Sequence, residues 1–133
     1  MYLIDTNVAI HLRDGDQAII AKLDALPARP VMSILTVIEM EGGIVSEPEH
    51  AVRRRAGLDS LMDSIAVIDF DSQAVAPYRA IMEARGFVRS RVVDRMIAAT
   101  AIAHDLTLIT INGGDFRDVP GLKLEVWPSP AAQ

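Results

Sequence analysis

The chain has 133 residues, half of them apolar, no cysteine and a formal charge of −5, with a mean hydropathy of +0.25. This supports one compact domain with a real core and excludes disorder, a disulfide framework and a thiolate metal site. No segment approaches the roughly 18 apolar residues that span a bilayer, and Met1-Tyr2-Leu3-Ile4-Asp5 reads as a strand rather than a secretion signal, so a cytoplasmic location without membrane contact is expected.

Tyr2–Asp5 reads as the first strand, with Thr6 and Asn7 placed to cap the helix after it. Helices are expected from about Val8 to Arg13 and from Asp16 to Leu26, the second carrying Ile19, Ile20, Leu23 and Leu26 at helical spacing. Pro27 and Pro30 bracket a turn. Val31–Ser33 is a brief strand entering a helix that runs to about Val45, and a charged helix covers Pro48 to Asp63. After the strand Ala66–Ile68, Asp71 or Ser72 caps a helix that reaches Arg85 and closes at Gly86. Arg91 to His104 is an alanine-rich helix, Thr107–Ile111 a β-branched strand and Leu124–Trp127 a last short one. Residues 1–127 thus read as a single domain, and 128–133 as a frayed tail. Strands alternating with helices imply an α/β fold, with a mostly parallel central sheet of about four to five strands between helical layers. In such sheets function gathers beyond the carboxyl ends of the strands.

Four acids stand out, and each has an ordinary explanation. Asp5 closes the first strand, where an Asp commonly starts a turn or caps a helix. Glu39 lies among Leu35, Val37, Ile38 and Met40, where an ionised carboxylate on a buried surface is costly unless paired. The spacing Thr36-Val37-Ile38-Glu39 fits a capping box, although Ser33 is an earlier candidate cap. Glu41 lies about 200° around the helix from Glu39, so the two do not face one site. Asp94 sits in the first turn of its helix, favourable to the helix dipole and equally a place where phosphate binds. Asp115 follows the turn Asn112-Gly113-Gly114. Two of the acids follow strand ends, one starts a helix and one is embedded in an apolar helix. That joint placement is harder to explain by caps and turns.

These residues resemble the PIN-domain family, and within it the VapC-type toxins of bacterial toxin–antitoxin pairs. Leu3-Ile4-Asp5-Thr6-Asn7 resembles the opening strand and first acid, and Ser33-Ile34-Leu35-Thr36-Val37-Ile38-Glu39 the second motif, which selects Glu39 over Glu41. Asp94-Arg95-Met96-Ile97-Ala98-Ala99-Thr100-Ala101 is similar to the third motif, and Thr107-Leu108-Ile109-Thr110 with Asn112 and Asp115-Phe116 to the last. The resemblance runs from Leu3 to about Trp127, with two departures: Ile111 stands where the family often has a basic residue, and Arg89-Ser90-Arg91 is unusually charged.

The resemblance implies a three-layer α/β/α PIN-like domain and an endoribonuclease that hydrolyses RNA to a 5′-phosphate and a 3′-hydroxyl. Hard oxygen ligands suit Mg²⁺ or Mn²⁺, with Asp5 and Asp94 as ligands and Glu39 and Asp115 binding directly or through water. Thr6, Thr110 and Asn112 are candidates to orient the acids by hydrogen bonds. Implied partners are an RNA substrate, a VapB-type antitoxin, operator DNA through the antitoxin complex, and a second copy in a homodimer. The net charge argues only mildly against RNA, because carboxylates neutralised by a cation no longer repel phosphate. Arg89 and Arg91, beside Asp94, are candidate phosphate contacts, whereas Arg53-Arg54-Arg55 reads as a solvated helix face.

The rival expectation is a binding protein that acts mainly through a tight antitoxin complex repressing its own operon, with little nuclease activity. The amphipathic stretch Asp16–Leu26 offers such a partner an apolar groove, or simply packs in the core. Other chemistries fit poorly. Asp69-Phe70-Asp71 lacks the continuation of a haloacid-dehalogenase acid pair and reads as a strand end and cap, and Gly113-Gly114 lacks the Lys-Ser/Thr of a P-loop. His11, His50 and His104 have no nucleophile nearby in sequence.

Overall fold

The computed structural model describes residues 1–130, so positions 131–133 of the expected tail lie outside the described residues. Five short strands, β1 (Tyr2–Ile4), β2 (Val31–Ser33), β3 (Ala66–Ile68), β4 (Thr107–Thr110) and β5 (Lys123–Val126), form one sheet in the order β3-β2-β1-β4-β5. Every pairing is parallel. Six helices connect them: α1 (Thr6–Arg13), α2 (Gln17–Asp24), α3 (Ile34–Ser46), α4 (Ala51–Ser64), α5 (Val75–Arg85) and α6 (Val92–Ala103).

The two-residue period of the strands decides the layering. Leu3 pairs in register with Leu108, and Ile4 with Ile109 and Met32. The two leucines point into a core built with Ile81 of α5 and Ile97, Ala98, Ala99 and Ala101 of α6. Ile4, Ile109 and Met32 point the opposite way, into a core shared with Val8, Ile19, Val37, Met40, Leu58 and Leu61 of α1 to α4. Two helices therefore cover one face and four the other, as expected of a three-layer α/β/α domain. Each fully buried Leu or Ile in these layers contributes roughly 1.5–3 kcal/mol.

Local chemistry sets the element ends. Asp16 Oδ1 accepts from the Ile19 amide at 3.1 Å and starts α2. Gly86, at φ 79°, closes α5 in a backbone region that only glycine enters freely. Gly57 sits inside α4 because a Cβ there would lie 2.7 Å from Arg13 Cγ and 2.8 Å from the Arg13 carbonyl of α1. Several expected boundaries shift: α2 ends at Asp24 and β4 at Thr110, Pro48–His50 and Arg89–Arg91 are separate 3₁₀ turns, and Trp127 lies beyond β5. Trp127 still donates its amide to the Thr110 carbonyl at 2.9 Å.

Candidate metal centre

The chain leaves β1 toward β2 on one side of the sheet and β4 toward β5 on the other, so the strand order reverses between β1 and β4. Parallel sheets open a crevice at the carboxyl ends of such a pair. Asp5 follows β1 directly, Thr110 ends β4, and Asp115 closes the 3₁₀ turn Gly113–Asp115 just after it. Glu39 comes from α3 and Asp94 from the first turn of α6.

Asp5 is 4% exposed and bonded at both oxygens. Oδ1 accepts from the Thr6 amide at 2.8 Å, and Oδ2 from the Thr110 hydroxyl at 2.8 Å. The cap of α1 is therefore Asp5 itself, and the helix starts at Thr6 rather than Val8. Thr6 and Asn7 are free of the capping role assigned to them by sequence because the extended backbone of Asp5 (φ −73°, ψ 163°) turns its carboxylate onto the helix end. Burial pushes the Asp5 carboxyl up to about 6; the Thr110 and Thr6 hydrogen bonds oppose the rise, while the charges of Asp94 and Glu39 add to it.

Glu39 differs from its expected setting. The core face of α3 is Thr36, Val37, Met40 and Ile44, and Glu39 is exposed at the rim. The capping-box explanation fails, since Ser33 Oγ accepts from the Leu35 amide at 3.0 Å and starts the helix. Glu39 Oε1 instead accepts from the Thr6 hydroxyl at 2.6 Å, and Thr6 Oγ1 lies 2.9 Å from Thr36 Oγ1. A hydroxyl has one proton, so Thr36 donates to Thr6 and Thr6 to Glu39. Glu41, on the other side of α3, is held by Arg55 at 2.8 and 2.5 Å, and that pairing lowers its pKa.

The second half of the centre is salt-bridged. Burial raises the pKa of Asp94, as do Asp115 and Glu39, while Arg91 lowers it. Arg91 Nη1 donates to Asp115 Oδ1 at 3.0 Å and lies 3.5 Å from the Asp115 carbonyl. The structure thus brings Asp5, Glu39, Asp94 and Asp115 into one electrostatic network at the sheet's switch point. Asn112 joins it through its backbone: its amide donates to Thr110 Oγ1 at 3.0 Å, while the residue itself is exposed. Asn7, which the sequence offered only as a cap, ties α1 to the end of β4 through Oδ1, 3.3 Å from the Ile111 amide. Thr36 and Asn7 are the polar residues of this centre that sequence reasoning missed. Their one signal was a hydroxyl or amide inside a motif with an acid.

The arginines divide. Arg89 is exposed, Arg91 is engaged by Asp115, and Arg95 is buried with Nη1 on the Gly86 carbonyl at 2.6 Å. Arg54 and Arg55 tie α4 to Gly43, Glu47 and Glu41, which uses up much of that basic run. Asp71 caps the turn after β3 through the Gln73 amide at 3.0 Å. Among the described residues, the three side chains whose ligand atoms all lie within 4.8 Å are Glu47, Glu49 and His50 on an exposed turn; the four carboxylates stand wider. The donor set nevertheless fits a hard divalent cation. All four side chains offer carboxylate oxygens, and the raised Asp5 records a desolvated acid, with Asp94 and Glu39 adding to the rise, whose ionised form such a cation would stabilise.

A family model described as PIN domain matches residues 2–122. The chain is 27% identical to Ribonuclease VapC2 of Rickettsia felis, over 96% of this chain and 98% of that protein. It is also 27% identical to the tRNA(fMet)-specific endonuclease VapC of Salmonella typhimurium, over 95% and 97%. Its fold superposes on DNA-bound VapBC from Salmonella typhimurium with a TM-score of 0.81 and 25% identity, covering 95% of this chain and 97% of that one.

Proposed function

The chain belongs to the PIN-domain family, and we propose that it is a Mg²⁺- or Mn²⁺-dependent endoribonuclease, the toxin of a VapBC-type pair, with residues 1–127 as its single nuclease domain. The observation that carries this reading is the Asp5 carboxylate: buried, bonded at both oxygens, and pushed up to about 6 beside further acids. Asp5 and Asp94 would hold the cation, and Glu39 and Asp115 would complete its surroundings directly or through water. When bound, the cation supplies Lewis acidity that makes water a better nucleophile and neutralises charge on the phosphate and the departing 3′-oxygen.

The chain's own residues do the rest. Thr110 and the Thr6 amide fix the two oxygens of Asp5, and the Thr36–Thr6 relay fixes Glu39, because ligands lose affinity when the groups that orient them are removed. The start of α6, which has no side-chain cap, favours a phosphate beside Asp94. Arg89, exposed next to that helix start, is the proposed phosphate contact. Incubating a structured RNA such as tRNA with the chain in Mg²⁺ and in EDTA tests the reading. New 5′-phosphate ends in Mg²⁺ alone support it, and equal cleavage in both, or by Asp5→Asn, overturns it.

An antitoxin partner, with operator DNA bound through the pair, is proposed from the likeness to DNA-bound VapBC. A cavity of about 270 Å³ between α1, α2 and α4, lined by Leu12, Ile20, Leu23 and Leu61 and also by Arg13, Asp24 and Arg29, suits an amphipathic segment of that partner. A homodimer and a cytoplasmic location complete the proposal. Assays with and without the protein of the adjacent reading frame separate a silenced nuclease from an inactive binding protein.

A further inference from the structure

The centre is electrically lopsided. Around Asp5 and Glu39 the partners are neutral: the Thr6 amide and the hydroxyls of Thr6, Thr36 and Thr110. Around Asp94 and Asp115 the partner is a full positive charge. Arg91, the residue immediately before α6, reaches across to Asp115, 24 residues away, with Nη1 at 3.0 Å from Oδ1. The same guanidinium opposes the upward push on Asp94.

We infer that Arg91 stands in for a second cation: it neutralises the Asp94–Asp115 half of the centre, so the native chain takes one divalent cation tightly and admits a second only by displacing Arg91. The inference rests on the proposed metal centre and adds to it the number of metals. A guanidinium keeps its charge at every accessible pH and its planar fork matches a carboxylate, so the positive charge beside Asp115 does not depend on pH. It cannot activate water as a cation does, so the first metal is the one held by Asp5 and Asp94, and it is the Asp115 carboxylate that Arg91 closes to a second. The side chains of Arg91 and Asp115 are 40% and 37% exposed. A pair so open to water is weak, and Arg91 can leave it without disturbing the core. A dication entering beside Arg91 instead meets a like charge at short range, a repulsion large enough to lower its affinity on the order of tenfold or more.

Equilibrium titration of the purified chain with Mn²⁺, following free Mn²⁺ by electron paramagnetic resonance, tests this. The wild type should bind one Mn²⁺ tightly. Arg91→Gln should bind two, the second about tenfold or more tighter than in the wild type, while Arg91→Lys keeps the charge and stays at one. Adding Asp115→Asn to Arg91→Gln should remove the gained site and spare the first, and Asp5→Asn should remove the first. Two tight sites in the wild type, or a gained site that survives Asp115→Asn, overturn the inference and leave the metal centre standing. No bound Mn²⁺ in any variant overturns the metal centre and the inference with it. The native chain supplies a second readout should Arg91→Gln fail to fold. The Arg91 side-chain NMR signals should stay put through the first equivalent of Mg²⁺ and shift only in excess; a shift complete at one equivalent counts against displacement.

Discussion

Glu47, Glu49 and His50 crowd their ligand atoms within 4.8 Å of one another on a 3₁₀ turn, whereas Asp5, Glu39, Asp94 and Asp115 converge more loosely from four separate elements. Water and Arg54 reach the first group, whose Glu47 pairs with Arg54 at 3.3 Å. The second group surrounds a carboxylate that is 4% exposed and pushed up to about 6. Proximity in an exposed turn costs little, because solvent screens the charges. Convergence on a desolvated acid is expensive unless something uses it. The looser group is therefore the better candidate for a metal centre.

The largest effect that separates the two groups is expected from Asp5→Asn. It should lower Mg²⁺-dependent RNA cleavage by at least about a hundredfold, since even the outer partners of ligands are worth ~10–100-fold. The pair Glu47→Gln and Glu49→Gln should leave cleavage unchanged. Matched assays on variants with native far-ultraviolet circular dichroism check this, and equal losses would erase the distinction.

Thr110→Val comes next. It removes the hydroxyl that donates to Asp5 and accepts from the Asn112 amide, leaving the buried Asp5 Oδ2 unpaired. A loss of ~10–100-fold in activity and about 1–3 kcal/mol in stability by urea unfolding is expected. Full activity would mean that Asp5 needs no positioning.

The pH dependence of stability gives a third measure. Asp5 binds a proton more tightly folded, at about 6, than at its ordinary value of 3.8, so the folded chain carries more protons across that interval. Stability from this group is then greatest below the unfolded value and declines as pH rises through about 6, opposite to a salt-bridged acid. The metal-free wild type should lose up to about 3 kcal/mol relative to Asp5→Asn between pH 4 and 7. Saturating Mg²⁺, which binds the ionised form, should flatten or reverse that slope. Melting temperatures of both proteins at several pH values decide it; parallel curves would mean Asp5 is not desolvated. The smallest effect is expected from Arg55→Ala, which cuts an exposed tie to Glu41 and should leave cleavage intact and the melting temperature little changed.

Much of this protein is legible in short windows of sequence. The strands Tyr2–Asp5, Val31–Ser33, Ala66–Ile68 and Thr107–Ile111 stand out as short apolar runs between helical patterns, and each falls on an observed strand to within a residue. Ser33 is readable as a cap, and the rotation along α3 separates Glu39 from Glu41. Four acids stand out by their order and setting.

Only the tertiary structure decided what those acids touch. Thr110 reaches Asp5 across 105 residues and Thr36 reaches Thr6 across 30, contacts made by parallel crossovers and invisible to any local period. Glu39 looked embedded from its apolar neighbours, yet it lies on the open side of α3, because helix phase relative to the sheet sets exposure. Arg91 read as a free phosphate contact until the turn after β4 carried Asp115 to it. Charge and propensity belong to residues; desolvation and pairing belong to the crevice where β1 and β4 end.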